Sequence, residues 1–553
     1  MAKKRLLDRI TTPHQLRRLD EASLGQLAEE VRQRVVEVVS KRGGHLASNL
    51  GITELTIALH YVFDFEHDRL LWDVGHQCYP HKMLTGRGER FDSLRQSGGI
   101  SGFPSPGESP FDLFATGHAG TAISTGAGLA LADAARGVDT RVVAVVGDAS
   151  IVNGLALEGI NNVGLLDRQM LIILNDNSMA IDRTRGAVSN MLDRVRLTRA
   201  YSDLKHGTEQ MLSHMPLGEE ITEALRGLRA GLRAAVHGGK FFEALGIRYF
   251  GPVDGHDISD LVRILRRLGN VNRPVLLHVH TQKGRGCASA VEDPCRFHSP
   301  SAHRIVGGRA VFPEKARPTW TETFAEAVLD LGRRDDRVVA ITAAMADGTG
   351  LVRFREAFPD RTYDVGINES HAVAMAAGMA RSGLRPIVAV YSTFLQRAFD
   401  QVFEEVALQD LPVVFCMDRA GLVGSDGAVH HGFLDVAWLR AIPRMILAAP
   451  ADAAELSEAL RFAVEAAAPV AMRYPRDEAP ADLPGECPPF ELGRSRTIRT
   501  GEGGAFLCYG ATVETAMRAA DDLAAGGIDA GVVNARFAKP LDAPAVTRLI
   551  DSG

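Results

Sequence analysis

The stretch from Val142 to Asp182 most constrains the fold, because it alternates an apolar strand, a turn, a helix and a second apolar strand. It reads VVAVVGDASIVNGLALEGINNVGLLDRQMLIILNDNSMAID. Two strands joined through a helix lie parallel in one sheet, so their carboxyl ends open on the same edge, where open α/β sheets bind ligands. We therefore expect Asp148 and Asn177, which follow the two strands, to converge.

The residue types at these strand ends suit a metal-bound diphosphate. Mg²⁺ takes oxygen ligands in a near-octahedral shell and often shares them with phosphate groups. Gly147 lets the backbone come close to a ligand, and the helix that follows offers its first N–H groups to an anion. Asp and Asn are also common turn and cap residues, so Asp148 and Asn177 alone leave a structural interpretation open.

The chain has 553 residues, more than one hydrophobic core serves, and its pattern predicts three α/β parts. Residues 1–317 contain the unit just described. A Pro- and Gly-containing linker then leads to a second parallel-sheet domain over 318–478, with the apolar strands RVVAIT, RPIVAVY, VVFCMD, MILAAP and PVAMRYPR. Residues 491–553 offer two strands and two helices, too few to close a sheet, so we expect an incomplete third domain.

Composition excludes several classes of function. A net charge of −6 and a pI near 6.3 give no global attraction to nucleic acid or anionic membrane. No apolar run approaches the length of a membrane span, and the start MAKKRLLDRITTP has no apolar leader segment, so we expect a cytosolic protein. The six cysteines form no C-x-x-C pair, which fits a reducing compartment. Residues 183–240 are polar and helical in propensity, as in a mobile segment or surface insertion.

Polar residues recur in Gly-rich loops and at strand ends. His45 lies in GGHLAS, His76 in WDVGHQCYPHK and His118 in ATGHAGTAIS, and such loops expose side chains to a ligand, although a lone histidine is usually structural. Glu369 begins a helix of small residues, where the helix macrodipole alone would favour a carboxylate. The segments YSTFLQRAFDQ, DRAGLVGSDGAVHHG and RYPR place charged or aromatic residues at three further strand ends, which favours a ligand-binding edge.

Taken together, these motifs resemble the 1-deoxy-D-xylulose-5-phosphate synthase family, thiamine diphosphate enzymes related to transketolase. The motifs are GGHLASNLG, WDVGHQCYPHK, GHAGTAIS, GD…NDN, YFGPVDGHD, YSTFLQRAFDQ, DRAGLVGSDG followed by HHG, and RYPR. The resemblance runs from about residue 40 to 485 and continues at ARFAKPLD. It implies a transketolase-like fold of two cofactor-binding parallel-sheet domains, with a chain that continues beyond Gly553.

The resemblance implies thiamine diphosphate and Mg²⁺ as cofactors. The metal ligands it implies are Asp148, Asn177 and the carbonyl of Met179. Glu369 would hydrogen-bond the aminopyrimidine ring of the cofactor. The remaining cofactor contacts it implies are His76, Gly117, His118, Ala119, Ala149, Ser150, Asn177, Cys287 and Phe394.

The activity implied is condensation of pyruvate with D-glyceraldehyde 3-phosphate, with loss of CO₂, to 1-deoxy-D-xylulose 5-phosphate for isoprenoid, thiamine and pyridoxal biosynthesis. The acceptor phosphate needs a cationic clamp, which bidentate guanidinium suits. The acceptor contacts implied are Tyr391, Arg397, Arg419, Asp426 and Arg473. Proton transfer is assigned, besides Glu369, to His430, His45 and His298, whereas His431 is expected to be a bystander.

Four features depart from the family pattern. Ala149 replaces a glycine after GD, Cys287 stands where an aromatic residue commonly follows KGRG, Ala180 stands where a serine is usual, and AGTA replaces a serine-rich run after GH. None of these removes a metal ligand or Glu369. They leave open an altered donor or acceptor preference.

Three alternatives share parts of this pattern. A transketolase would move a ketol unit without decarboxylation, although the segments YSTFLQRAFDQ and DRAGLVGSDG favour the synthase. An E1 component of a 2-oxoacid dehydrogenase would need a lipoyl-domain partner. A divergent paralogue without activity would keep the fold alone. The family resemblance also implies a homodimer.

Overall fold

The computed structural model describes residues 5–177, 187–188, 237–306 and 309–552. The chain divides into two compact units, Met1–Pro313 and Glu314–Gly553. Nearly all of the predicted insertion over 183–240 lies outside the described residues, as do Met179 and Ala180. Among the residues that are described, no helix is long and apolar enough to cross a membrane.

A parallel sheet forms the centre of the first unit, as the alternation of strands and helices predicted. Its strands are β1 Arg69–Trp72, β2 Val142–Gly147, β3 Met170–Asp176, β4 Arg248–Asp254 and β5 Pro274–His280. Their order is β1-β2-β3-β5-β4, and each neighbouring pair is parallel. A short hairpin follows, with strands β6 Arg304–Val306 and β7 Arg309–Val311.

Helices cover both faces of this sheet, which explains why its central strands are apolar at every position rather than at alternate ones. Val143 and Val145 of β2 pack into one core cluster, whereas Ala144 and Val146 pack into another on the opposite face. The α-helices in the described part of the unit are Pro13–Leu16, Leu24–Arg42, Ala47–Gly51, Thr53–Val62, Tyr79–Lys82, Ala122–Ala135, Gly154–Val163, His237–Ala244, Ile258–Leu268 and Ala288–Glu292.

The second unit contains the second predicted parallel sheet. Six of its strands are parallel to one another: β8 Val338–Thr342, β9 Thr362–Asp364, β10 Arg385–Tyr391, β11 Val414–Asp418, β12 Ile446–Ala448 and β13 Val470–Arg473. The α-helices of the unit are Trp320–Arg334, Val352–Ala357, Glu369–Arg381, Ser392–Leu395, Phe399–Gln401, Asp435–Ala441, Ala453–Glu465, Thr512–Ala525 and Ala543–Asp551. The strand β9, a short and half-buried element, had no clear signal in the sequence.

The C-terminal segment differs from the expectation of two strands. It forms a sheet of β14 Arg496–Arg499, β16 Gly531–Asn534 and β15 Ala505–Cys508, in that order, and a further strand, β17 Phe537–Lys539, pairs antiparallel with β12. The polar β14 was missed because it lacks an apolar pattern. β17 joins the neighbouring sheet because Phe537 is fully buried there, against Phe462 and Phe490.

A buried carboxylate ties the C-terminal segment to the second parallel sheet. Glu455, on helix Ala453–Glu465, is fully buried, and its Oε1 lies 3.3 Å from Arg496 Nη1 and 3.1 Å from Arg536 Nε. Its Oε2 accepts hydrogen bonds from Asn534 Nδ2 at 2.7 Å and from the Ala451 backbone N–H at 3.1 Å. Every oxygen of this carboxylate is therefore hydrogen-bonded, which its burial requires.

Replacing Glu455 with alanine should destabilise the second unit by about 3–5 kcal/mol, because it leaves two arginines buried without their counter-charge. Glu465→Ala, at an exposed position on the same helix, should change the free energy of unfolding by no more than about 0.5 kcal/mol. Urea unfolding of both variants measures the difference. Equal stabilities for the two variants would show that the ion cluster contributes nothing to the fold.

Candidate active site

The carboxyl ends of β2 and β3 lie side by side in the first unit. Gly147 pairs in register with Asn175, so Asp148 and Asn177 follow adjacent strands at one edge of the sheet. Asp148 is buried, and its backbone N–H donates a hydrogen bond to the Asn175 carbonyl at 3.2 Å. Asn177 is half-buried. The predicted approach of these two side chains thus rests on the sheet register.

The turn after β2 leads directly into a capped helix. The Ser150 backbone N–H donates to the Gly147 carbonyl at 3.0 Å, which closes the turn that contains Ala149. Asn153 caps helix Gly154–Val163, since its side chain accepts a hydrogen bond from the Leu155 N–H at 3.1 Å. A tight turn followed by a helix start presents backbone N–H groups, an arrangement that suits an anion.

A buried lysine that the sequence analysis did not single out lies in this region. Lys283, in the loop TQKGRG, is buried, and burial lowers its pKa to about 8, although the nearby Asp148 opposes the shift. Lys283 and Asn177 line one cavity of about 430 Å³, together with Asp254, His256 and Gln282. A volume of this size falls in the range of small-molecule sites. The basic Gly-rich loop was the available sequence signal.

Three of the predicted histidines form one cluster in the first unit. The ring centroids of His45, His76 and His298 lie 5.2–5.6 Å apart in all three pairs. Removal from water, reinforced by the charges of Lys283, His76 and His45, lowers the pKa of His298 well below its ordinary value. His298 is therefore neutral at pH 7 and is a weaker base than an exposed histidine.

The loops that carry His45 and His76 are held together by a buried amide. The Nδ2 group of Asn49 donates to the His45 carbonyl at 2.7 Å and to the His76 carbonyl at 2.8 Å. Its Oδ1 accepts the Tyr79 backbone N–H at 2.8 Å. Asn49 lies inside the motif GGHLASNLG, so the motif marked its position but gave no indication of its structural role.

A buried carboxylate, that of Asp73, holds the end of the turn that contains Gly117, His118 and Ala119. Asp73 accepts the Gly120 N–H at 2.9–3.0 Å and the Ala122 N–H at 3.0 Å, so it also holds the start of helix Ala122–Ala135. Gly120 has a φ of +93°, and a Cβ there would lie 2.3 Å from Asn153 Oδ1. Glycine is therefore required where this turn meets the turn after β2.

Cys287 lies at the N-terminal boundary of helix Ala288–Glu292. It is half-buried and packs against the apolar core of the first unit. Its backbone N–H donates to the Gly284 carbonyl at 3.0 Å, which closes the loop TQKGRG.

In the second unit, the predicted carboxylate Glu369 begins helix Glu369–Arg381. Its side chain is almost fully buried, and its Oε2 lies 3.1 Å from Arg397 Nη1. Burial raises the pKa of Glu369, although the Arg397 charge opposes the shift. Glu369 is thus a carboxyl group that holds a proton more readily than an exposed one and that can hydrogen-bond a ring nitrogen.

Three rings and one guanidinium of the predicted set lie together at the end of β10. Tyr391 and Phe394 stack with centroids 5.8 Å apart, and His430 meets Phe394 edge-on at 5.6 Å. The Arg419 guanidinium lies 3.7 Å above the Tyr391 ring, and its Nη1 donates to the Gly348 carbonyl at 2.8 Å. These contacts fix Arg419 in a partly buried position where a cation is stabilised by the ring.

The two arginines of the motif RYPR have different partners. Arg476 Nη1 lies 2.5 Å from Asp426 Oδ2, whereas Arg473 binds the buried Asp435, with Nε to Oδ2 at 2.9 Å and Nη2 to Oδ1 at 3.4 Å. The sequence analysis named Arg473 and missed Arg476, which lies in the same motif, and Asp435, which lies three residues after HHG. The charge of Arg473 is matched by a buried carboxylate, and Arg476 is the more exposed of the two.

His431, expected to be a bystander, takes part in the loop beside His430. Its Nδ1 accepts a hydrogen bond from the Val423 backbone N–H at 3.1 Å. The imidazole therefore joins the two ends of the loop that carries Asp426 and His430.

The donor set at the first-unit strand ends fits Mg²⁺ and a diphosphate. Asp148 supplies a carboxylate and Asn177 an amide oxygen, both hard ligands, and Lys283 supplies a positive charge. No cluster of three His, Cys, Asp or Glu side chains suited to a metal occurs in the described part of the chain, so an ion would take its other ligands from backbone or from the diphosphate. Met179, the third predicted ligand, lies outside that part.

Three family models match successive parts of the chain. Residues 7–281 match 1-deoxy-D-xylulose-5-phosphate synthase, residues 316–481 match the pyrimidine binding domain of transketolase, and residues 493–552 match the C-terminal domain of transketolase. Together with the parallel sheets, these matches confirm the predicted transketolase-like α/β fold class.

Curated proteins named 1-deoxy-D-xylulose-5-phosphate synthase are similar along almost the whole chain. The protein of Thermomicrobium roseum is 47% identical over 97% of this chain and 85% of its own length. The protein of Geobacter metallireducens, with the suffix 1 in its name, is 46% identical over 97% and 86%. The protein of Pelotomaculum thermopropionicum is 46% identical over 98% and 85%.

Proposed function

The chain belongs to the 1-deoxy-D-xylulose-5-phosphate synthase family, and from this premise we propose that it condenses pyruvate with D-glyceraldehyde 3-phosphate. The carboxylate carbon of pyruvate leaves as CO₂, the former ketone carbon bonds to the aldehyde carbon, and the aldehyde oxygen takes up a proton. The product, 1-deoxy-D-xylulose 5-phosphate, serves isoprenoid, thiamine and pyridoxal biosynthesis. The observation that carries the proposal is the buried Glu369 at a helix start, with its raised pKa, in a chain of this family.

In the first unit, Asp148 and Asn177 are proposed to hold Mg²⁺ against the diphosphate of thiamine diphosphate. Their support is the sheet register and the oxygen chemistry of the pair. Ser150, His76 and the turn Gly117–Ala119 are proposed to contact the same cofactor. Lys283 would balance part of the diphosphate charge.

In the second unit, Glu369 is proposed to hydrogen-bond the aminopyrimidine ring, with Phe394 stacked on that ring. When bound, the cofactor supplies the carbanion and the electron sink that decarboxylation requires. Glu369 can keep a shared proton at its Oε atoms because burial raises its pKa, while Arg397 holds the carboxyl group in place.

The acceptor contacts are proposed to lie around Tyr391. Arg419 and Arg476 would clamp the phosphate, because both carry a partly exposed guanidinium and Arg419 lies over the Tyr391 ring. Asp426 would bind an acceptor hydroxyl, and His430, beside Phe394, would give the aldehyde oxygen its proton. Arg473, the clamp predicted from the motif, is the less exposed of the two RYPR arginines and is held through two contacts by the buried Asp435, whereas Arg476 meets the more exposed Asp426.

The histidine cluster of the first unit is proposed to serve proton transfer as well. His298 is neutral at pH 7, and the rings of His45 and His76 lie beside it. A cytosolic location and a homodimer are further proposals, which rest on the composition and on the family.

Product analysis of the full chain tests the proposed reaction. With Mg²⁺, thiamine diphosphate and pyruvate, addition of D-glyceraldehyde 3-phosphate should stimulate CO₂ release and give 1-deoxy-D-xylulose 5-phosphate. Transfer of a ketol unit between sugar phosphates without CO₂ would show transketolase activity instead. Cofactor binding with neither product would indicate a protein without this chemistry.

Replacing Glu369 with alanine should lower kcat by about 10²- to 10⁴-fold, because the proton-holding carboxyl group is lost from the aminopyrimidine. The protein should remain folded, which circular dichroism would check. The matched control is Glu356→Ala, an exposed position in the same unit, which should keep full activity. Substantial turnover by Glu369→Ala would contradict the proposed role.

Substituting each of the two arginines of RYPR in turn shows which one binds the acceptor phosphate. Arg476→Met should raise the KM for D-glyceraldehyde 3-phosphate by about 10- to 100-fold, which is the loss expected when charged hydrogen bonds to the phosphate are removed. The KM for D-glyceraldehyde should change much less, because this acceptor has no phosphate. Arg461→Met, an exposed helical position, is the control. A phosphate-specific loss in Arg473→Met and not in Arg476→Met would restore the motif-based assignment.

A further inference from the structure

A loop of the second unit carries two of the proposed acceptor contacts and closes on itself at a narrow neck. Asp426 and His430 lie in it, and Gly421 and Gly432 form the neck. The Gly421 N–H donates to the Gly432 carbonyl at 3.0 Å, and the Gly432 N–H donates to the Gly421 carbonyl at 2.8 Å. We call residues 421–432 the acceptor loop. Its orientation depends on what the neck packs against.

The neck packs directly on Ser392, the residue after Tyr391. A Cβ added to Gly432 would lie 2.6 Å from Ser392 Cβ and 2.6 Å from the Arg419 carbonyl, so only glycine allows this approach. The Ser392 Oγ lies 3.2 Å from the Gly432 carbonyl, within hydrogen-bonding distance. The acceptor loop therefore rests on the two segments that carry Tyr391 and Arg419.

A single buried carboxylate, that of Asp435, stabilises this arrangement. Asp435 is buried, and its Oδ2 accepts hydrogen bonds from Ser392 Oγ at 3.1 Å and from Arg473 Nε at 2.9 Å. Its Oδ1 lies 3.4 Å from Arg473 Nη2. A serine hydroxyl has one proton, so Ser392 divides its donation between Asp435 and the Gly432 carbonyl. Asp435 thus connects the end of β10, the acceptor loop and the end of β13.

We propose that Asp435 is a positioning residue that sets the acceptor loop against Tyr391 and Arg419. This proposal rests on the proposed function, because it deepens the account of the acceptor site. Asp435 acts through the Ser392 hydroxyl and the Arg473 guanidinium, and we call these three side chains the Asp435 brace. Arg473 belongs to the brace rather than to the phosphate clamp. Without the brace, Asp426 and His430 move relative to the aldehyde, while the Glu369–Arg397 pair keeps its geometry.

The test compares Asp435→Asn with Asp452→Asn in the full chain with Mg²⁺ and thiamine diphosphate. Asp452 is also a buried carboxylate of the second unit, but it caps helix Ala453–Glu465. Its side chain accepts hydrogen bonds from the Glu455 and Leu483 backbone N–H groups, which lie outside the acceptor loop. For Asp435→Asn, kcat/KM for D-glyceraldehyde 3-phosphate should fall about 10- to 100-fold, as expected for a misplacement near 1 Å. The same loss should occur with D-glyceraldehyde, because the substitution displaces the acceptor loop rather than the contacts to the phosphate.

Cofactor binding, measured by calorimetry, should be unchanged in Asp435→Asn, and Asp452→Asn should keep the wild-type kcat/KM. Ser392→Ala, which removes one hydroxyl and keeps the ion pair, should shift kcat/KM in the same direction by a smaller factor. Wild-type kinetics in Asp435→Asn, or a loss confined to the phosphorylated acceptor, would overturn the positioning role. Absence of synthase activity in the wild-type protein would instead overturn the proposed function itself.

Discussion

Buried carboxylates whose oxygens are all hydrogen-bonded are the interaction on which both candidate sites depend. A carboxylate leaves water at a large cost, so it persists in a core only where cations or N–H groups surround it. Asp73 meets this condition with backbone N–H groups, Asp435 with a guanidinium and a hydroxyl, and Glu455 with two guanidinium groups and an amide. Because such a group has few alternative positions, it fixes the loops that contribute its partners.

The parallel sheets are the part of the fold that could be predicted best from the sequence. The strands β2 and β3 had continuous apolar patterns and a helix between them, so their parallel pairing and the shared edge of Asp148 and Asn177 followed from general rules. The strands of the second sheet were equally clear, except for β9. The polar β14 and the transfer of β17 to the neighbouring sheet depend on tertiary packing, through Phe537 and the Glu455 cluster, and no local pattern contains that information.

The site residues found only in the structure share one property. Asn49, Asp73 and Asp435 act on other side chains or on backbone rather than facing a ligand, and their partners are distant in sequence. A motif records that such a residue stands beside a histidine or a glycine but not which group it binds. Arg473 and Arg476 illustrate the limit, because two arginines three residues apart carry the same charge but differ in exposure and in the carboxylate that each one meets.

Two arginine–carboxylate pairs of the second unit, Glu369–Arg397 and Asp435–Arg473, are proposed to have different tasks. Glu369 meets Arg397 at a helix start, and burial raises the pKa of this carboxyl group, so it holds a proton more readily than an exposed carboxyl group does. Asp435 meets Arg473 with both oxygens and also accepts from Ser392, so its contacts are those of a fixed anion that orients other groups. Removing one partner of a buried pair costs about 3–5 kcal/mol whichever pair is broken, so a loss of stability alone does not distinguish the two tasks. The distinction lies in what each carboxylate is proposed to act on: Glu369 on the aminopyrimidine ring of the cofactor, and Asp435, through Ser392 and Gly432, on the loop whose Asp426 and His430 are proposed to meet the aldehyde.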